Sequence, residues 1–412
     1  MLLTYPSNNT KPLQGEVVAV TGYGVISCVG NTPKAFFEGL FHEAPSDFPR
    51  RVHDFDPSRY FDSKDARRTD RFSQFAVAAS TEALKMSGLL SEDGNILTES
   101  TSDRLGVLIG TGVGGLITLE EQILINSAKG ERRVSPFLVP MMMSNAASAN
   151  VSMRFGFQGP CETATTACAA GTHAIGNAAR WISTRRCDVV IAGGSESSLT
   201  STAMAAFSNM TALSTSKFSR PFDKDRDGFV MAEGAAILIL ESLEHALSRG
   251  AEIHAIISGA ASTADANHMT APDPTGSGAT ECMKHAIMDA SLELSDIGHI
   301  NAHGTSTPLN DRAEANAISS LFQESPSLPV TSIKGVTGHA LGAAGALEAL
   351  ACILTLKNKV IPPTIGLANV DPEVKLNIVT SNDFKYEPKP ILSNSFGFGG
   401  HNGCLVVSPY LD

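Results

Sequence analysis

Residues 165–194 read TTACAAGTHAIGNAARWISTRRCDVVIAGG. From Gly171 to Ile182 the chain is small or apolar along one side, with Arg180 near the end, which is the periodicity of a helix. Asp188–Gly193 follows as an apolar, β-branched run closed by glycine, with no polar residue alternating inside the run. A strand without a polar face has both faces covered, as in a sheet held between helix layers. Cys168 stands just ahead of the helix. The unpaired N–H groups and positive dipole end there favour the thiolate, which is the nucleophilic form. The same position also suits a small buried hydrophobe.

The pattern extends in both directions. Glycine-bounded apolar runs recur at Glu16–Thr21, Arg104–Gly110, Ala235–Glu241, Ala255–Gly259, His299–Ala302, Pro329–Ile333, Pro390–Asn394 and Cys404–Ser408. Helical patterns lie between many of them, at Asp70–Ser87, Leu116–Ala128, Thr172–Thr184, Ala279–Ser291, Asp311–Leu321 and Leu341–Leu356. Strands alternating with helices predict a layered α/β fold. A loose echo links two halves, 16–254 and 255–412, after a flexible leader at 1–15. Each half opens on a glycine-ended strand, carries a candidate catalytic residue at a strand-to-helix junction (Cys168; His303) and later has a Gly-Gly pair.

Composition narrows the function. The chain has 412 residues, 42% of them hydrophobic, and a formal net charge of -11. That charge argues against nucleic acid or an anionic membrane as the main partner. Seven cysteines without regular spacing make no disulfide framework, and no C-x-x-C suggests zinc. The first fifteen residues carry no long apolar run, so neither a signal peptide nor an anchor is read there, and a cytoplasmic protein is expected. Gly110-x-Gly112-x-x-Gly115 copies a dinucleotide fingerprint but lacks a placed acidic residue further on. Asp223-x-Asp225-x-Asp227-Gly228 copies the start of a calcium loop but does not close on glutamate. Both are read as structural loops.

Three further segments carry candidate chemistry. His303 follows an apolar run and precedes a Gly/Ser/Thr cluster that caps the next helix, a position where α/β proteins concentrate functional groups. His339 lies in KGVTGHALGAAG, and a helix starting nearby would place its imidazole at the positive end and keep the ring neutral. Lys334 adds a positive field. Phe398, in FGFGGHN, has glycines on both sides, so a backbone N–H and a ring can both border a pocket.

Taken together, TACAAG, NAHGTSTPLND, KGVTGHALGAAG and SNSFGFGG resemble the β-ketoacyl-[acyl carrier protein] synthases, in the elongating class with a Cys-His-His set and most like synthase II. The similarity spans Val17 to Val407, with the markers in order. The resemblance implies a thiolase-like fold, two related βαβ halves in α-β-α-β-α layers, and a homodimer. It implies condensation of an acyl chain on Cys168 with malonyl-[acyl carrier protein] and loss of CO2. His303 and His339 would stabilise the enolate, and the N–H groups of Cys168 and Phe398 would bind the oxyanion.

The resemblance assigns further roles. Asp311 and Glu314 would stand near Lys334, while Thr305, Thr307 and Phe396 would contact substrate. Asn301, Glu348, Ser393 and Asn394 would form a structural Na+ or K+ site, and no cofactor is required. Carrier proteins are acidic, so a local basic patch is needed on this acidic chain. Lys64, Arg67 and Arg68 with Lys129, Arg132 and Arg133 are its candidates. A specialised polyketide ketosynthase and a non-catalytic chain-length subunit are the alternatives, and a thiolase is disfavoured by the missing second cysteine.

Overall fold

A computed structural model describes residues 15–411. The leader read at 1–15 therefore lies outside the described residues but for Gly15. Eleven strands form one mixed sheet: β1 Val18–Ser27, β2 Leu105–Gly110, β3 Cys161–Glu162, β4 Val189–Glu196, β5 Gly234–Ser242, β6 Ala255–Ala264, β7 His299–Asn301, β8 Pro329–Thr331, β9 Asn377–Ile378, β10 Ile391–Gly397 and β11 His401–Ser408. Their order is β3-β2-β4-β5-β1-β6-β11-β10-β7-β8-β9. The sequence reading anticipated every strand except the two-residue β3 and β9.

The apolar runs are buried on both faces because alternate side chains enter different cores. Val107, Ile109, Val189, Ile191, Ile237 and Ile239 point to one cluster, shared with Phe72, Phe75 and Val77 of the outer helix Arg71–Met86. Leu108, Val190, Ala192, Leu238 and Leu240 point to the other, shared with the inner helices Ala170–Ser183 and Ala344–Asn358. A strand's period of two thus serves two cores at once. A third cluster covers the second half of the sheet beneath helices Ser277–Asp289 and Pro308–Leu321. The layers are α-β-α-β-α.

The order encodes an internal duplication. β3-β2-β4-β5-β1 is matched by β8-β7-β10-β11-β6 with the same senses: parallel, parallel, antiparallel, antiparallel. The halves join where β1 and β6 pair at Ala19↔Ile256 and Val20↔Ala255. This corrects one detail of the echo. The counterpart of the turn Ala167–Ala169, which holds Cys168, is the turn Leu341–Ala343, just after His339. The first residue of each turn has a positive φ, 50° at Ala167 and 43° at Leu341. His303 instead follows β7, the counterpart of β2.

Leu341–Asn358 is apolar and long enough to cross a membrane, but 89% of it is buried inside the protein. A helix apolar all round that is packed inside the protein is a core helix.

Two predictions follow from this packing. A Cβ at Gly171 would lie 2.9 Å from Ala346 N and 2.9 Å from Gly342 O. Helix propensity favours alanine over glycine by ~1 kcal/mol, whereas overpacking costs ~1–3 kcal/mol. Gly171→Ala should therefore destabilise the protein in urea unfolding, and a gain in stability would show that the helices do not meet this closely.

His299, at the start of β7, is buried with both ring nitrogens unpartnered beside the Tyr386 ring. Burial depresses its pKa to about 3. The folded state then refuses a proton that the unfolded chain accepts below about 6.5, so stability is lost as pH falls through that value. Buried carboxyls such as Glu314 and Glu348 are raised by burial and act in the opposite sense. The difference between variants isolates the histidine: His299→Leu should match the parent near pH 7.5 and exceed its stability by about 2 kcal/mol at pH 5. A pH-independent difference would reject this.

Candidate active site

The two inner helices bring their N-terminal ends to one cavity of about 360 Å³. Its lining includes Cys168, His303, His339, Phe396 and Phe398. Cys168 sits on the strained turn Ala167–Ala169, pressed against the end of β10. A Cβ at Gly397 would lie 3.0 Å from Cys168 N, so glycine is required for this approach. Gly399 and Gly400, at φ 84° and 72°, then turn the chain into β11.

The sulfur is 3.0 Å from His339 Nε2. The backbone N–H groups of Phe398 and of Cys168 itself also face it and favour its anionic form. Burial outweighs them and pushes the thiol up to about 12. The sequence expectation of a resting thiolate is thereby corrected. The helix end does stand beside the cysteine, but loss of water dominates.

His303 follows β7 with its ring 5.4 Å from that of His339, edge to face. Lys334 Nζ donates to His303 Nδ1 at 3.2 Å and to His303 O at 2.6 Å. Because an ammonium only donates, Nδ1 must accept, and the ring proton is on Nε2. Burial and then Lys334 hold both imidazoles well below their usual pKa, so both are neutral. His339 lies on a bridge to Met231, not in the helix, with N–H donated to Val230 O at 2.7 Å. Its neutrality thus owes to burial and Lys334, where the sequence reading had invoked a helix end. Its Nδ1 is buried without a partner.

The expected support set is partly rearranged. Glu314 accepts the N–H groups of His303 and Gly304, each at 2.8 Å, and burial raises its pKa to about 7. Asp311 accepts from Phe222 N at 2.9 Å and lies 3.7 Å from Arg226. Neither is the carboxylate bonded to Lys334. That partner is Glu348, a lone acid in an apolar helix, whose buried carboxylate accepts from Nζ.

Glu348 had been read into the cation set, and the other three residues are also engaged. Asn301 Nδ2 donates to Ser393 Oγ at 3.2 Å, and Asn394 Nδ2 donates to Glu314 at 3.3 Å. Glu348 Oε2 is buried without a hydrogen-bond partner.

Thr305 and Thr307 line the cavity with their hydroxyls 2.9 Å apart. The Phe396 ring lies 6.0 Å from His303 and the Phe398 ring 6.5 Å from Phe207. Lys64, Arg67, Arg68 and Lys129 are exposed away from the lining. Arg68 stacks on Phe137 at 4.3 Å, in the segment that follows the second basic cluster. The two decoy loops are structural. Gly112 N donates to Glu196 at 2.6 Å, Asp223 accepts from the backbone of Ala368 and Asn369, and Asp227 accepts from Ser214 and Thr215.

Sequence reading missed Glu196. It is buried and receives N–H groups from Gly112 of one half and Gly342 of the other. The signal available was an acid closing an apolar strand.

The family model described as "Beta-ketoacyl synthase, N-terminal domain" matches residues 42–246, and "Beta-ketoacyl synthase, C-terminal domain" matches 254–368. A Synechocystis sp. protein named 3-oxoacyl-[acyl-carrier-protein] synthase 2 is 43% identical over 97% of this chain and 99% of its own. A Staphylococcus aureus protein of the same name is 42% identical over 96% and 99%. A β-ketoacyl synthase structure from Burkholderia phymatum superposes with TM-score 0.87 at 32% identity, covering 96% of this chain and all of that one. A type II PKS acyl-carrier protein in complex with its ketosynthase gives TM-score 0.85 at 31% identity, with the same coverage.

Proposed function

The chain belongs to the β-ketoacyl synthase family, and from that premise we propose that it condenses an acyl chain with malonyl-[acyl carrier protein] in fatty-acid elongation. The observation that carries the reading is one neutral Cys-His-His cluster with N–H donors at the sulfur and a lysine that sets one tautomer.

In the first half-reaction Cys168 Sγ attacks the carbonyl of the acyl thioester. The S–C bond forms as the carrier's thiolate leaves, and the cysteine proton passes to that leaving thiol. Thiol is exchanged for thiol, so no ionised sulfur need persist in the buried site. The carbonyl oxygen turns toward the N–H groups of Cys168 and Phe398, and losing one such donor typically costs ~3–4 kcal/mol of transition-state stabilisation.

In the second half-reaction the malonyl C–C bond breaks, CO2 departs and its electron pair becomes an enolate. His303 Nε2–H donates to the enolate oxygen, with His339 as the second group on that wall. A neutral donor is suited to this task because it stabilises the forming oxyanion without adding another buried charge beside Lys334. The carbanion attacks the acyl-Cys168 carbonyl, the tetrahedral oxyanion collapses, and the cysteine leaves and takes a proton from solvent. The product is a 3-oxoacyl carrier thioester. The β-carboxylate supplies the electrons, so this chemistry calls for no cofactor. Phe398, between two glycines at the cavity, serves as a gate ring.

The carrier protein docks at the two basic clusters. A second copy of the chain covers the surface around β3. There β3 is an exposed edge strand, and the neighbouring segments 116–129, 138–142 and 146–155 expose Ile123, Leu124, Val139 and Met153. An open edge beside apolar side chains suits a symmetric dimer. All seven cysteines are free, in keeping with a cytoplasmic setting. Identity of 42–43% to proteins named synthase 2, against 31% to the PKS ketosynthase, favours fatty-acid elongation over polyketide assembly.

Separating the half-reactions tests this reading. Cys168→Ala should abolish the acyl mass shift on the protein while sparing some malonyl decarboxylation. His339→Ala should still acylate but lose decarboxylation. Normal condensation by the Cys168 variant would overturn the assignment. For the carrier, reversing the charge of Arg67 and Arg68 together should raise KM for acyl carrier protein and flatten its salt dependence. A small pantetheine thioester should react as before, and equal loss with both substrates would point to misfolding instead.

A further inference from the structure

Arg50 is 2% exposed, and no carboxylate lies within ion-pair distance of it among the described residues. Its guanidinium donates to a row of backbone carbonyls: Lys334 O at 3.4 Å, Gly335 O at 3.1 Å and Val336 O. Those oxygens belong to the single helical turn Lys334–Thr337. Lys334 O also accepts from Gly338 N at 3.1 Å and Ser219 Oγ at 2.7 Å, whereas Gly335 O and Val336 O, in a turn too short to satisfy them, accept only from Arg50 among the described residues. Burying an arginine without a carboxylate is costly unless its donors are used; here Nη1 serves the three consecutive carbonyls, while Nε is buried without a partner.

The backbone of Arg50 is tied to the same region. Arg50 N donates to Met231 O at 2.9 Å, and Glu233 N donates to Arg50 O at 3.3 Å. On the far side of the 230–232 segment, His339 N donates to Val230 O at 2.7 Å and Ala232 N donates to His339 O at 3.0 Å. Gly338 completes the fit, since a Cβ there would lie 3.2 Å from Arg50 Cδ. Glu233 anchors the assembly, with its buried carboxylate paired to Arg71 at 2.8 Å and accepting from Val52 N at 2.9 Å.

We propose that Arg50 is a positioning residue for the decarboxylating half of the site: its guanidinium holds the Lys334–Val336 carbonyls so that Lys334 Nζ meets His303 and keeps the imidazole proton on Nε2. The inference rests on the condensing-enzyme reading and adds to it a residue that touches neither substrate nor either histidine ring. His339 has its own backbone bonds to Val230 and Ala232, and Cys168 with its N–H donors belongs to other segments. Loss of the guanidinium therefore acts on Lys334 and His303 first, and acyl transfer to Cys168 is spared.

The test uses the full-length protein with acyl- and malonyl-carrier protein, and compares Arg50→Met and Arg50→Lys with the parent. Arg50→Met fills the space without the donors. Its kcat for malonyl decarboxylation should fall by roughly ten- to a hundredfold, the scale of a small misplacement at a reacting group. KM for malonyl-carrier protein and the rate of single-turnover acylation should stay within about threefold, and Arg50→Lys should recover part of the lost kcat because an ammonium reaches fewer carbonyls. Where Arg50→Met does not fold, Arg50→Lys carries the test, with a kcat deficit confined to decarboxylation. A folded variant that decarboxylates at the parent rate, or one that loses acylation and decarboxylation equally, overturns the proposal. A parent protein without condensing activity would instead overturn the reading on which it rests.

Discussion

At Gly171 and Gly345 the two inner helices come so close that a side chain on either would strike the other's backbone or a buried hydroxyl. A Cβ at Gly345 would lie 2.9 Å from Thr172 N, and one at Gly171 the same distance from Ala346 N. Interiors are packed too densely to absorb such atoms without backbone shifts. This contact sets the spacing between the two halves of the molecule. Cys168 leads into one helix and His339 precedes the other, so helix separation fixes the separation of sulfur and imidazole. Glu196 reinforces the same seam by accepting N–H groups from Gly112 and Gly342, one on each side.

Around that seam the electrostatics follow from dehydration. Lys334 and Glu348 are a fully buried pair, each 1% exposed, and the lysine's remaining donors go to His303. A fixed cation beside two dehydrated imidazoles makes protonating either ring unfavourable, and the same dehydration raises the cysteine. The site therefore rests with neutral reacting groups and one compensated charge. Such an arrangement suits a reaction whose charge develops on substrate oxygens, because the donors are already oriented when the oxyanion forms.

Arg50, Glu314 and Glu196 share a further property: each is a buried polar side chain whose partners are mainly backbone groups. Arg50 serves carbonyls at the end of a one-turn helix, while Glu314 and Glu196 serve N–H groups at strand ends and turns. Backbone groups stranded where regular structure stops need partners, since an unmet one inside a protein costs roughly 1–3 kcal/mol. Loops that carry catalytic groups are the segments least able to satisfy themselves, and these three side chains satisfy them from outside.

The strands and helices were legible in the sequence because burial on both faces writes itself as continuous apolar runs, as in Val189–Ala192 and Ile237–Leu240. Cys168, His303, His339 and Phe398 were legible because small residues, glycines and caps must surround a group placed at a chain junction. The rest depended on distance across the chain. Nothing local to Glu348 says that its oxygen meets Lys334. Nothing near Cys168 says that burial outweighs the helix end, and nothing near Arg50 says that it reaches residues 334–336 from 284 positions away. The duplication was audible as an echo, yet its true pairing, the turn that holds Cys168 with the turn just after His339, appeared only once β1 met β6 and the strand orders could be compared. Local sequence determines which segments bury which faces. Partnership and pKa depend on what the fold brings together and on how much water it removes, and both are properties of the tertiary structure alone.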